Sequence, residues 1–429
     1  MIPRSSGIYM SININKAYEI DAEPKLWAKL YRQAAKDFAR EISFFPRCPD
    51  GSRQKIAILS HENPDGDAIG ATLGLYHMLK KKQDGKTSAR IKSIAKPGQV
   101  VLHRNTGHDA MNGTADVIMI NPGPIPQWLN FLPGIKFIKR PDELPPGYVP
   151  DCAVVLDVPD EDKLGAGKRI FDAASRKIWI DHHQYKDTDW QMDEWLISKF
   201  SVIDSRAGAC CEMLSHIFYY YSKYASPSIH SALKQELNRD AATALAIGLH
   251  ADTGGLRWSG TNCNSSLALA TLQRAGANWT DISSSISQRS WAEQKFVAHF
   301  INDNASTFEK DGKLVWCVLK QREIMRFGVG DEVTPWTSNV LYQLEQVPDV
   351  QMVVMFIELP NNVTCVRIRS NYDWLPVDDF AKFFPPEFCT GKGHKKASGY
   401  KIFHGANGFG IREAARLFLD VVKREGKFR

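Results

Sequence analysis

Residues 55–70 read KIAILSHENPDGDAIG, and the character of the chain changes twice within them. Lys55–Ser60 is a short apolar run of the kind that forms a buried strand. His61, Asp65 and Asp67 then crowd into a turn built on Pro64 and Gly66, and the apolar spacing over Ile69–Lys82 is helical. Strand, acidic turn and helix in succession open an α/β unit.

Working outward, further strands are expected at Arg90–Ala95, Ala115–Ile120, Ile135–Lys139, Cys152–Asp157 and Lys177–Ile180, and helices at Gly208–Tyr221, Glu236–His250 and Asn264–Ala275. Their alternation indicates a mostly parallel sheet, with the Pro/Gly-rich stretches 121–134 and 141–150 as loops. An amphipathic helix over 24–44 precedes this fold. A polar helical stretch, Trp291–Phe308, connects it to a second domain with strands at Lys313–Leu319, Gln351–Leu359 and Val363–Arg369 and a closing helix over Gly410–Glu425. Pro360-Asn361-Asn362 signals a hairpin between the last two strands. The expected division is therefore an N-terminal helical extension at 1–50, a catalytic domain at 51–290, a helical linker at 291–310 and a smaller α/β domain at 311–429.

The 429 residues suit two domains plus additions at about 150 residues each. With 43% hydrophobic and 24% charged residues the chain is globular rather than disordered. No apolar run approaches the roughly 18–20 residues of a membrane span, and the N-terminus has no apolar block behind a basic start. Its eight cysteines show no CxxC pairs, so a reducing cytoplasm is the expected home. The net charge is +6, and it is unevenly spread: residues 80–104 carry eight Lys/Arg against one acid, and 391–429 ten against three. Such segments suit a polyanionic partner such as a phosphate ester or short nucleic acid, although solvated basic faces would read the same way.

Four segments carry the chemistry: SHENPDGDAIG with His61, Asp65 and Asp67; VVLDVPD with Asp157; IWIDHHQ with Asp181, His182 and His183; and HADTGGLRW with Asp252. Three of them end parallel strands, where open α/β sheets hold their ligands. Singly, each is an ordinary turn or helix cap. Brought together, Asp65, Asp67, Asp157 and Asp252 beside His61 and His182 would repel one another without cations. Carboxylate and imidazole donors suit Mn²⁺, with Mg²⁺, Fe²⁺, Co²⁺ and Zn²⁺ as competitors. Six candidate ligands exceed the needs of one hydrated ion. They match two ions sharing a carboxylate, which would activate a water and stabilise both oxygens of a phosphoryl transfer.

In this order the segments resemble the four motifs of the DHH phosphoesterase superfamily. The C-terminal GKGHKKASG, with Arg367-Ile368-Arg369-Ser370 upstream, is similar to the glycine-rich signature and Arg-Ser of the DHHA1 domain, although Lys392 stands where that family usually has glycine. The whole resembles the bacterial oligoribonuclease and pAp-phosphatase branch, which also contains cyclic-dinucleotide phosphodiesterases. This resemblance implies a first Mn²⁺ on His61, Asp65 and Asp157 and a second on Asp67, Asp157, His182 and Asp252. Mg²⁺ or Co²⁺ would be substitutes. It also implies that His183 faces the scissile phosphate with Asp181 in support. Arg369, Ser370, Gly391, Lys392, Gly393 and His394 would bind substrate across a cleft, and Arg257-Trp258 could offer a charge and an aromatic face. The activity it implies is hydrolysis of short oligonucleotides or linear dinucleotides to mononucleotides. The alternatives are a pAp 3′-phosphatase, a cyclic-dinucleotide phosphodiesterase or a catalytically silent nucleotide sensor. A homodimer is compatible with the sequence, and no protein partner or membrane is implied.

Overall fold

The structure is a computed structural model that describes residues 12–13, 24–43, 54–80, 115–183, 201–224, 237–258, 260–308, 312–329, 333–372, 374–394, 396–404, 410–426 and 428. The chain divides into two compact units, Met1–Ser287 and Gln288–Arg429.

In the first unit six strands lie side by side. They are β1 (Ile12–Asn13), β2 (Gln54–Leu59), β3 (Ala115–Ile120), β4 (Cys152–Leu156), β5 (Arg176–Asp181) and β6 (Ser201–Ile203). Their order is β1-β6-β5-β4-β2-β3, and every neighbouring pair is parallel. Helices cover both faces, which is why β4 reads as an unbroken apolar run, CAVVL. Ile56, Ile58, Val154, Leu156, Ile178 and Ile180 face one core with α1 (Pro24–Ser43), α2 (Gly66–Leu79), α4 (Cys210–Tyr224) and α5 (Arg239–Thr253). Ala57, Leu59, Ala153, Val155 and Trp179 face the other, with Ile170 and Phe171 of α3 (Lys168–Ala173). α6 (Cys263–Arg274) and α7 (Trp279–Ser287) complete the unit.

The close contact of α2 with α5 follows from small residues. Gly66, Gly70 and Gly74 repeat every fourth position and so share one helix face. A Cβ on Gly70 would lie 2.5 Å from the Ala244 carbonyl oxygen, and one on Gly66 would lie 2.5 Å from Ala251 Cβ.

The second unit is built on a mixed sheet ordered β11-β12-β10-β9-β8-β7. Its strands are β7 (Ser306–Phe308), β8 (Leu314–Leu319), β9 (Met352–Leu359), β10 (Val363–Ser370), β11 (Cys389–His394) and β12 (Ala397–Phe403). Only β8 and β9 pair in parallel. Val366, Ile368, Tyr400 and Ile402 bury one face against Phe418 of α11 (Ile411–Glu425). The opposite face packs Val353 and Met355 on Phe296 of α8 (Trp291–His299) and Val340 of α10 (Val333–Glu345). A short helix, α9 (Gln321–Phe327), follows β8. The hairpin at Pro360-Asn361-Asn362 is present, with Asn361 and Asn362 both at positive φ, +63° and +56°.

Two sequence expectations are corrected. Ile135–Lys139 is not a strand: after Gly134 (φ +86°) the chain makes a 3₁₀ turn over Ile135–Phe137, and Lys139 forms a single bridge to Ile120 at the sheet edge. An apolar run this short does not distinguish a strand from a single helical turn. Trp291–Phe308 is not one helix. It winds into a π-turn at Phe300–Asn304, after which Ser306-Thr307-Phe308 pairs antiparallel with β8. The strand expected at Arg90–Ala95 lies outside the described residues. β1, β6, β11, β12, α3, α7, α9 and α10 were not expected. No helix among the described residues is long and apolar enough to cross a membrane.

Alanine raises helix propensity over glycine by about 1 kcal/mol, so Gly70→Ala would stabilise a free helix. Here overpacking against the Ala244 carbonyl should dominate and destabilise the fold by about 1–3 kcal/mol. A lowered urea midpoint with an unchanged m-value is expected, and a raised midpoint would contradict the close α2–α5 contact.

Candidate metal centre

β5, β4 and β2 are adjacent and parallel, so their carboxyl ends form one edge, and each delivers part of the site there. Asp181 is the last residue of β5, Asp157 follows β4, and His61 comes two residues after β2. Asp65 caps α2, its Oδ1 accepting the backbone N–H groups of Asp67 (2.9 Å) and Ala68 (3.0 Å). Asp67 lies buried in the first turn of the same helix. Its carboxylate accepts the N–H groups of Cys210 (2.6 Å) and Cys211 (2.9 Å) at the start of α4. Asp252 stands in the last turn of α5, not after it. Gly254, left-handed at φ +57°, caps that helix at His250 and lets it run to Thr253.

These residues form overlapping clusters. The ligating atoms of His61, Asp65 and Asp157 lie within 4.8 Å of one another, as do those of Asp67, His182 and Asp252 and those of Asp157, His182 and His183. Asp157 faces both sides, its Oδ2 3.7 Å from His61 Nε2 and its Oδ1 3.4 Å from His182 Nε2. His182 Nε2 is also 3.2 Å from Asp252 Oδ2 and 3.9 Å from Asp67 Oδ2. Asp157 has φ +59°, a left-handed conformation that Asp tolerates better than most residues, at a cost of order 1–3 kcal/mol.

The imidazoles are oriented from behind. His182 Nδ1 donates to the Ala207 carbonyl at 3.2 Å, which leaves the Nε2 lone pair toward the carboxylates. His183 Nδ1 donates to Asp181 Oδ1 at 2.8 Å, and its backbone N–H donates to Asp181 Oδ2 at 3.2 Å. Sequence reasoning did not single out Asn121, whose amide donates to Ser60 Oγ (2.8 Å) and the His61 carbonyl (3.0 Å), or Asp204. Both directly follow a parallel strand, the rule that exposed Asp157.

The electrostatics of the cluster call for positive charge. Burial and the repulsion of Asp157 and Asp252 hold the Asp67 carboxyl well above the usual carboxylate range. Burial and neighbouring carboxylates push Asp252 up to about 6, against the pull of His182. Burial opposes a charge on His61, yet the facing Asp157 and Asp65 raise it to about 10. Against the same opposition, Asp157 and Asp252 raise His182. Asp157 shifts downward despite its burial, because two imidazoles flank it. Asp157 Oδ1 and His182 Nε2 are nevertheless buried without a hydrogen-bond partner, an arrangement a coordinated cation would satisfy. Oxygen and imidazole donors clustered around one buried carboxylate fit hard or borderline divalent cations.

The other expected site residues belong to other segments of the chain. Arg257, after α5, donates from Nε to the Gly254 carbonyl at 2.7 Å, and Trp258 beside it is half exposed. Arg369, Ser370, Gly391, Lys392, Gly393 and His394 belong to the second unit. Ser370 is buried and donates to the Tyr372 carbonyl (3.1 Å), while Arg369 Nε is 4.0 Å from Glu345. Gly391 has φ +140°, and a Cβ there would lie 2.3 Å from the Gly399 carbonyl oxygen, so the pairing of β11 with β12 itself requires glycine.

Residues 55–249 match the DHH family, N-terminal domain. Among its relatives is the bifunctional oligoribonuclease and PAP phosphatase NrnA of Mycoplasma genitalium. The two are 25% identical over 352 residues, 80% of this chain and 87% of the relative. A shorter match, 26% over 189 residues, covers 43% of this chain but only 20% of an A-adding tRNA nucleotidyltransferase of Aquifex aeolicus. The fold is shared with the crystal structure of an exopolyphosphatase-related protein from Bacteroides fragilis. That match has a TM-score of 0.66 at 20% identity and covers 92% of this chain and 96% of the other.

His61, His182 and Asp252 have raised affinities for protons, so a cation entering the cluster must displace protons from them. Mn²⁺ affinity should therefore rise with pH across about pH 5–8. Calorimetry in two buffers of different ionisation enthalpy should report net proton release at pH 7. An affinity independent of pH, with no proton release, would remove these groups from the ligand set.

Proposed function

We propose that the protein is a divalent-metal-dependent phosphodiesterase that hydrolyses short oligonucleotides or linear dinucleotides to mononucleotides. Mn²⁺ is the preferred ion, and Mg²⁺ or Co²⁺ are substitutes. One observation supports this reading: six carboxylate and imidazole side chains cluster around the buried Asp157, which lies between His61 and His182. The similarity to the Mycoplasma genitalium enzyme supports both the substrate class and pAp as a second substrate. When bound, a pair of divalent ions supplies activation of a water and neutralisation of charge on the phosphoryl oxygens.

The chain's own residues prepare that chemistry. Asp65 is fixed by its cap and Asp67 by two backbone N–H groups, so neither carboxylate has to reorganise. Asp181 turns the His183 ring and, against the effect of burial, raises its proton affinity. The imidazolium this favours can donate from Nε2 to a phosphoryl oxygen.

In the second unit, Arg367 and Arg369 alternate onto the same face of β10. Across β12, Gly399 and Ala397 are in register with these two arginines and with the Lys392 and His394 positions of β11. Two small residues thus separate four basic positions. This arrangement suits a non-reacting phosphate or sugar, and we assign it to substrate recognition.

The test is product analysis on pApA, longer RNA, pAp and cyclic dinucleotides with and without Mn²⁺. Mononucleotides from pApA are expected, dependent on Mn²⁺ and absent in Asp157→Ala. Faster cleavage of 20-mers than of dinucleotides would overturn the short-substrate reading. Arg369→Ala should raise KM for pApA with little change in kcat and spare a minimal chromogenic phosphodiester. Equal losses on both substrates would move Arg369 into the reacting centre.

A further inference from the structure

We propose that Asp204 is a positioning residue that couples the N-terminal helix α1 to one half of the metal centre, the Asp67–His182–Asp252 group. This rests on the two-cation reading above and assigns a role to a part of the chain, α1, that lies outside the family match over residues 55–249.

Asp204 is fully buried, directly after β6. Its Oδ1 accepts the backbone N–H (3.2 Å) and Nε (2.9 Å) of Arg206, and its Oδ2 accepts Arg206 Nη2 at 3.3 Å. From α1, the Tyr31 hydroxyl donates to the same Oδ2 at 3.2 Å. The backbone is tied as well, Asp204 N–H to the Asp181 carbonyl (3.1 Å) and Ala207 N–H to the Asp204 carbonyl (3.0 Å). Asp204 therefore sets the turn over residues 204–207.

That turn makes two deliveries. Its Ala207 carbonyl receives His182 Nδ1 at 3.2 Å and so fixes the tautomer and aim of the ligating ring. It then feeds into the start of α4, where Cys210 and Cys211 N–H groups hold Asp67. His182 and Asp67 belong to one ligand group with Asp252. Asp204's hydrogen bonds run to Tyr31, Arg206, Ala207 and Asp181, the turn's Ala207 reaches His182, and the helix start it feeds holds Asp67, so its influence falls on one ion and not on the other.

The experiment is calorimetric titration of the full chain with Mn²⁺ alone, for the parent protein, Asp204→Asn and Tyr31→Phe, with thermal melts alongside. The parent is expected to bind two ions. Asp204→Asn should keep one binding step unchanged and weaken the other about tenfold, as loss of groups behind metal-ligating histidines does. Tyr31→Phe should weaken the same step by a smaller factor at an unchanged Tm. In turnover assays, excess Mn²⁺ should restore kcat of both variants with KM for pApA unaltered. Mn²⁺ isotherms of both variants identical to the parent would overturn the proposal, as would equal weakening of both steps. A parent that binds a single ion would instead overturn the two-cation reading, and this inference with it.

Discussion

The Asp157 carboxylate is held between two imidazoles, 3.4 Å from His182 Nε2 and 3.7 Å from His61 Nε2, with almost no access to water. A buried carboxylate is tolerated only when positive charge or coordinated metal compensates it. That need organises the rest of the site. The histidines come from the strands on either side of β4. Asp65 and Asp67 come from the start of a helix, with backbone N–H groups fixing their direction, and Asp252 comes from the last turn of α5. The left-handed backbone at Asp157 is the local strain this arrangement carries.

Helix packing closes the other side of the cluster. Asp67 on α2 and Asp252 on α5 share a ligand group because the two helices meet through glycine and alanine. A Cβ on Gly248 would lie 2.7 Å from Asp67 Oδ1. Small residues here thus serve the site as well as the core. The same carboxylate sits on the first N–H groups of α4, where the helix dipole favours negative charge.

The second unit solves a different problem, holding basic positions on a sheet that packs helices on both faces. The alternation of β10 sends Val366, Ile368 and Ser370 inward and leaves Arg367 and Arg369 together on the opposite face. Arg367 Nη1 donates to the hydroxyls of Thr337 (3.2 Å) and Ser338 (3.0 Å) on α10, which hold the guanidinium without neutralising its charge.

Much of this was legible in the chain. The apolar runs at β2, β4 and β5, the acid or histidine placed just after each, and the rule that parallel strands bring their carboxyl ends to one edge identify five members of the centre: His61, Asp157, Asp181, His182 and His183. Asp65 and Asp67 follow from their place in the turn between β2 and α2. Asp252 was visible as an acid near the end of a helix, but its approach to His182 depends on helix packing. Nothing local indicated that Asp204 would tie α1 to the turn behind His182, because Tyr31 and Asp204 are 173 positions apart. Ile135–Lys139 and Trp291–Phe308 misled for the same reason, since their conformations were decided by neighbours in space. Periodicity and turn chemistry are properties of adjacent residues, and so the sequence by itself determined β2, β4, β5 and the residue types gathered at their ends. Which carboxylate faces which imidazole, and which groups stand behind them, is set by contacts between distant segments, and only the tertiary structure decided it.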